Sequence, residues 1–556
     1  MLAQLSVYLS KIISLRFFAP LAAALIGLFF FLFIYGVAVL NPTNVDWLLA
    51  GGDLSQHFIG WQFYRLSDWT FPLGVASNLA YPHGLAITFM DSIPLLAIPF
   101  KFIAPLLPSD FQYFGIWGLT CFMLQGTFAA LIVRHWTKNI TVILLASIIF
   151  ILSPIMLGRM FIHTALAGHW IILLGILLLI KSTAIRTNKL FILAWSTTLS
   201  LSVMIHPYFF AMNAALLLMG IVLRYDTLKR ALITFFIPLF SAGFIFWCIG
   251  GFTIKTVGAG GLGDYGLNLN SLTNPLGWSG LLGNLPYGKA GGESLAYLGL
   301  GVLIAGVVAA MYLLFKCKDK PFRAKVMQLL HSRYLLIFII LLGLFILSVS
   351  THVQLGSVTL LEYHLPQAIE KLLSVFRASA RLFWPIYYLL MVAIIVVCIR
   401  MFDKKNKLIV VSFFALVVSV QAVDVLRSGA AQASHSHFQQ VSTIHYYNKL
   451  SGVFWSDAAK DKKHIIYLGN LYNEDFKEVA EFAIKHNLTL NTGYFARAPT
   501  TAIEATIESA KNDLLIGKPS ADTLYITKDK YVVDELSVHD MYSSSLQNGF
   551  YVISSS

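Results

Sequence analysis

Two neighbouring stretches of the chain carry groups suited to acid–base work: "GGDLSQHFIGWQFYR", with Asp53, Gln56 and His57, and "YPHGLAITFMDSIP", with Tyr81, His83 and Asp91. A carboxylate can take a proton from a hydroxyl or hold a divalent cation, Mg or Mn, which Asp53 and Asp91 would then share. Farther along, "GRMFIHTALAGHW" supplies Arg159, His163 and His169, "IHPYF" supplies His206 and Tyr208, "GESLAYLGLG" supplies Glu293, and "VFRASARLFWPIYY" supplies Arg377 and Arg381. Guanidinium groups hold phosphate oxygens in a fixed fork. Each group alone is a weak signal, because a single histidine or arginine at the end of an apolar run is more often an interfacial anchor. Together they match the needs of a lipid-linked phosphosugar, whose tail lies in the bilayer, whose phosphate sits among headgroups and whose sugar points outward.

The element expected to carry Asp53 is a helix that starts after Gly51 and Gly52. Helical spacing puts Asp53, Gln56, His57, Gly60 and Tyr64 on one face and Leu54, Phe58, Trp61 and Phe63 elsewhere. Such a helix would lay its apolar side in the membrane interface and turn its polar side toward a cavity. A plainer role stays open for Asp53, that of a simple helix N-cap.

Composition dictates the setting. The 556 residues are 57% hydrophobic and only 12% charged, about half the charged share of a soluble domain. Mean hydropathy is +0.72. Apolar runs at 17–40, 112–133, 140–156, 168–180, 190–205, 208–223, 231–250, 296–315, 334–350, 382–399 and 408–425 predict a polytopic α-helical membrane protein of about 11–13 spans. The first run lacks the short apolar core and cleavage site of a secretory signal and is expected to stay as a span. Assigning alternate loops to the cytoplasm puts Lys11 and Arg16, Arg134 and Lys138, Lys181 to Lys189, Arg224 to Arg230, the loop 316–333 and Arg400 to Lys407 on one side, as the positive-inside rule requires. That rule also accounts for the net charge of +13 without a nucleic-acid partner. Residues 92–108, with Pro94, Pro99, Pro105 and a central Lys101, predict a re-entrant or protein-buried helix, because a lysine at mid-membrane costs roughly 2.5 to 3.5 kcal/mol. The four cysteines, Cys121, Cys248, Cys317 and Cys398, show no metal or disulfide spacing.

The outer side then holds loops 41–91, 251–297 and 351–381 and everything after about 427. From Lys462, short strand-like runs alternate with amphipathic helices, as in a small α/β domain. The expected division is a transmembrane catalytic domain over 1–427 and an outer, periplasmic α/β domain over 428–556.

An Asp-bearing first outer loop, many spans and an outer C-terminal domain resemble the GT-C superfamily of integral membrane glycosyltransferases. "GGDLSQHFIGWQFYR", "YPHG", "TFMDSIPL", "GESLAYLGLG" and "FRASARLFWPIYY" look like blocks of a bacterial subfamily of it. The resemblance implies a polyprenyl-phosphate sugar donor, a glycan, lipid or protein acceptor, and placement in the bacterial inner membrane with the N-terminus cytoplasmic. It implies Asp53 as the catalytic carboxylate, Asp91 as a second, and Arg377, Arg381 and Arg159 as groups for the departing lipid phosphate. Gln56, His57, Tyr81, His83, His163, His169, His206, Tyr208 and Glu293 would line the substrates. Two other readings fit the same outline. An O-antigen-ligase-like transferase would rely on arginine and histidine, and a lipid-linked glycan flippase would carry ionisable groups along the middle of several spans.

Overall fold

The structure, a computed structural model, describes residues 2–225, 227–253, 262–330, 332–402, 406–495, 497–537 and 542–555. Its contacts divide the chain into two compact units: Met1–Asn41 with Tyr113–Phe244 and Val257–Gln440, and Pro42–Gln112 with Ile245–Thr256 and Val441–Ser556. The segment that follows the first span thus groups with the C-terminal residues.

The first unit is a bundle of apolar helices. Among the described residues seven helices are long and apolar enough to cross a membrane: Phe17–Tyr35, Phe114–Val133, Asn188–Ile205, Pro207–Arg224, Leu228–Cys248, Ser379–Phe402 and Lys407–Leu426. Leu300–Lys316 with Lys320–Gln328 forms a pair bent by 106°, and Ile140–Ile151, Thr164–Ile180 and Tyr334–Val349 are shorter apolar helices. Each of the eleven apolar runs of the sequence therefore carries a helix. Phe236, Phe240, Phe244, Leu336, Ile339 and Ile346 face outward, an arrangement suited to lipid rather than water. With no hydrophobic drive between helices in lipid, close packing holds the bundle. A Cβ built on Gly27 would lie 2.3 Å from the carbonyl oxygen of Phe122, and one on Gly126 would lie 2.4 Å from that of Ala23. These glycines let the first helix and Phe114–Val133 approach backbone to backbone.

In the second unit, a five-stranded sheet orders its strands as Thr489–Leu490, His464–Tyr467, Thr523–Thr527, Phe550–Ser555 and Tyr542–Gln547. The first three are parallel, and the last two join antiparallel. Ile466, Leu468, Leu514, Tyr525, Leu536 and Ile553 form its core. The edge strand Thr489–Leu490 continues into the first loop, where Leu79 bridges Leu490 in parallel. The Leu490 N–H donates to the Asn78 carbonyl at 2.9 Å, and the Tyr81 N–H donates to the Leu490 carbonyl at 3.0 Å.

Residues 92–108 form a nine-residue helix, Pro94–Phe102, and a 3-10 turn, Ala104–Leu106. Lys101 is buried, with its ammonium donating to Ser67 Oγ at 3.0 Å and the Asp68 carbonyl at 3.1 Å. The same Nζ lies 4.1 Å from the centre of the Tyr64 ring and 4.7 Å from that of Trp69. Protein groups thus replace the water this charge would otherwise require.

Candidate functional site

In the second unit, Asp53 lies in the first turn of the helix Gly52–Leu66. Gly51 occupies the N-cap position, so the cap role left open for Asp53 is not the one it has. A carboxylate in the first turn still meets the positive end of the helix dipole. The helix is buried from Leu54 to Tyr64 on every side. Its polar face packs on residues 87–92. Gln56 Nε2 donates to the Phe89 carbonyl at 3.4 Å, and the His57 carbonyl accepts from Ser92 Oγ at 2.8 Å. A Cβ on Gly60 would come within 2.5 Å of both Met90 and Ser92, so only glycine admits this approach. The Trp61 indole N–H donates to the Phe111 carbonyl at 2.8 Å, and Arg65 Nη1 donates to those of Pro108 and Ser109 at 2.7 and 2.8 Å.

Asp91 caps a 3-10 turn, Ile87–Met90, in the left-handed conformation at φ 53°. This aims its carboxylate at the helix, with Oδ2 3.8 Å from His57 Nε2. His57 stands one helical turn after Asp53, and its ring is the group that Asp91 approaches. Tyr81 and His83 go elsewhere. Tyr81 stacks on His464 with ring centres 4.3 Å apart, and His83 Nε2 lies 3.3 Å from Thr506 Oγ1. Both serve the contact between the first loop and the C-terminal domain.

In the first unit, five of the residues singled out in the sequence meet around one carboxylate. Glu293 stands in the 3-10 turn Gly291–Ser294. Arg381 binds it in a fork, Nε to Oε2 at 3.0 Å and Nη2 to Oε1 at 3.1 Å. Arg159 Nη1 reaches Oε1 at 2.8 Å, and His163 Nε2 lies 3.5 Å from the same oxygen. The Arg381 guanidinium lies 5.1 Å over the ring of Tyr208, and that of Arg159 5.8 Å over Trp384. Arg381 is placed by the 3-10 turn Ser379–Phe383, tied down by the Ala380 N–H to the Tyr265 carbonyl at 3.0 Å. The Ala378 N–H donates to the Tyr208 hydroxyl at 2.9 Å.

Burial alone would raise the Glu293 carboxyl. Arg159 and Arg381 outweigh that and, with His163, hold it well below the usual carboxylate range. Two guanidiniums against one carboxylate leave the cluster with an excess positive charge in partly buried surroundings, where an anion is held more strongly than in water.

Other expected members lie outside this cluster. Arg377 is exposed with its guanidinium 5.3 Å over Tyr265. His206 is the N-cap of Pro207–Arg224, its Nδ1 accepting from the Tyr208 N–H at 3.2 Å. His169 is fully buried, its Nδ1 2.9 Å from the Tyr388 hydroxyl, which also accepts from Gln125 Nε2 at 3.0 Å. It reaches the cluster only indirectly, by packing at 4.3 Å on Trp384 beneath Arg159. Among the described residues no three His, Cys, Asp or Glu side chains gather as metal ligands.

Sequence reasoning missed Asp424 and Gln421. Asp424, fully buried, accepts from the hydroxyl of Ser279, from the Tyr297 hydroxyl at 2.7 Å and from the Leu300 N–H at 2.9 Å. It thereby caps the helix Leu300–Lys316 from another element. Gln421 adds bonds to the Val302 N–H at 3.2 Å and the Leu298 carbonyl at 3.1 Å. The two residues fix both ends of the segment that carries Glu293. An acid inside an apolar run was the available signal.

A family model described as "Domain of unknown function (DUF6311)" matches residues 24–426, and one described as "DUF6311 C-terminal domain" matches residues 454–553. No curated protein matches the chain. Among solved structures the chain is similar to the oligosaccharyltransferase of Archaeoglobus fulgidus, crystallised tethered to an acceptor peptide containing the NVT sequon. The identity is 10% and the TM-score 0.43, over 97% of this chain and 74% of that one. A likeness of that degree carries no argument about activity.

Proposed function

The chain belongs to the DUF6311 family, and from the arrangement of its charged residues we propose that it is a membrane glycosyltransferase using a polyprenyl-phosphate sugar. The observation that carries the reading is the cluster of Arg159, Arg381, His163 and Glu293. It is a net-positive, partly buried group at the ends of apolar helices, where the phosphate of a lipid donor would lie. Arg381 and Arg159 take the growing charge of the departing lipid phosphate as the anomeric bond breaks. Asp53 accepts the proton of the attacking acceptor hydroxyl, and Asp91 is the second carboxylate. Direct attack on an oxocarbenium-like centre inverts the anomeric configuration. The acceptor is a glycan, lipid or protein outside the cytoplasm, and the protein lies in the bacterial inner membrane with its C-terminal domain in the periplasm.

The same cluster favours one alternative, transfer of a whole glycan from a pyrophosphate lipid by arginine and histidine alone. Binding of the leaving group separates the two. Purified protein is expected to bind polyprenyl phosphate, and Arg381→Gln is expected to weaken that binding by about tenfold or more, the scale of a lost charge-assisted bond. Equal affinity in wild type and Arg381→Gln would remove the cluster from donor binding, and a marked preference for polyprenyl pyrophosphate would favour the alternative.

A further inference from the structure

The helices that begin beside the Arg159–Glu293 cluster carry a second polar feature at their other ends. Leu300–Lys316 starts at the residue whose N–H is bound by Asp424 and ends about 24 Å farther on at 1.5 Å per residue. Trp384–Phe402 starts at the tryptophan under Arg159 and carries Arg400 in its last turn. At these far ends the chain bends by 106° between Leu300–Lys316 and Lys320–Gln328. The bend opens a groove of about 830 Å³. Its lining combines apolar Leu313, Val396 and Val397 with basic Lys316, Lys320 and Arg400.

We propose that this groove binds an anionic phospholipid, with the phosphate among Lys316, Lys320 and Arg400 and an acyl chain along Leu313, Val396 and Val397. Membrane orientation alone would explain lysines in this loop. It does not explain a concavity in which they converge on an apolar wall. That wall continues the outward-facing surface of Leu313, Leu314 and Phe315, which the bilayer must cover. Lys318 also lines the groove, so four cations face one carboxylate, Asp319, which pairs with Lys316 at 3.4 Å across an exposed i, i+3 contact. Such an exposed pair neutralises little. A zwitterionic lipid would bring its own ammonium among these cations and is disfavoured. Basic pockets between spans hold anionic headgroups by this combination of charge and apolar wall. The groove lies apart from the cluster assigned to the donor, so this inference stands whether or not that assignment does.

The test is the melting temperature of the purified full-length protein in neutral detergent with added dioleoylphosphatidylglycerol, dioleoylphosphatidylcholine or inorganic phosphate. Phosphatidylglycerol is expected to raise Tm by several degrees, as a ligand bound only by the folded state does, while the other two leave it unchanged. Lys316→Gln with Arg400→Gln should abolish most of that shift, and Lys229→Gln with Arg230→Gln, in a different basic loop, should keep it. Should the first pair fail to purify, Val397→Phe, which fills the apolar wall and leaves every charge, must reduce the shift. Equal shifts from the two phospholipids, a shift reproduced by inorganic phosphate, or a full shift in Lys316→Gln/Arg400→Gln or Val397→Phe overturns the proposal.

Discussion

Glu293 sits between two guanidiniums and is bound to both, by Arg159 Nη1 and by Arg381 Nε and Nη2. Its lowered ionisation range makes the pairing a stability term with a definite pH direction. The contribution is present above the ordinary carboxylate range and is lost only as pH falls through the lowered folded-state value. Glu293→Gln leaves Arg159 and Arg381 facing each other, partly buried and uncompensated, which costs about 3–5 kcal/mol. A clear drop in Tm at pH 7 is expected, and an unchanged Tm would mean that water already compensates the two arginines. At this scale much was legible. Arg159, His163, Tyr208, Glu293 and Arg381 stand at or near the ends of apolar runs, the pattern that singles them out. Asp424 was not, because its partners Ser279 and Tyr297 lie more than a hundred residues away in the sequence, and nothing local marks them as its donors.

Among the elements, the first-loop helix departs most from expectation. Its residue types describe an amphipathic interfacial helix, yet it is buried on all sides because the helix Asn473–Lys485 and residues 87–92 both pack on it. A hydrophobic pattern shows which positions want cover but not which segment supplies it. Asn473–Lys485 carries Glu481, whose carboxyl is pushed up to about 7, first by burial and then by Asp110, Asp46 and Glu478. The folded state therefore holds this proton more tightly than the unfolded chain does. Its stabilising effect is full below the ordinary carboxylate range and is lost as pH rises toward 7. Glu481→Gln should raise Tm at pH 8 and flatten the fall in Tm between about pH 5 and 8. A variant whose profile overlays that of the wild type would show that this carboxyl is solvated in both states.

Over the whole molecule, the sequence's apolar runs each became a helix, and the strand and helix alternation after Lys462 became the five-stranded sheet. The joining of Leu79 to Leu490 closes a loop of some four hundred residues, a long-range pairing that no local propensity encodes. Leu490→Pro removes the N–H that binds the Asn78 carbonyl. Thermolysin is expected to cut residues 77–84 faster in that variant, and unchanged protection would show that Tyr81 on His464 suffices to hold the segment. The central claim is that Asp53 does chemistry rather than start a helix. Membranes bearing the wild-type protein should transfer sugar from a panel of polyprenyl-phosphate hexoses. Asp53→Asn, which keeps the volume and removes the charge, should lower that transfer by about two orders of magnitude or more with Tm unchanged. Full transfer in Asp53→Asn would contradict the account.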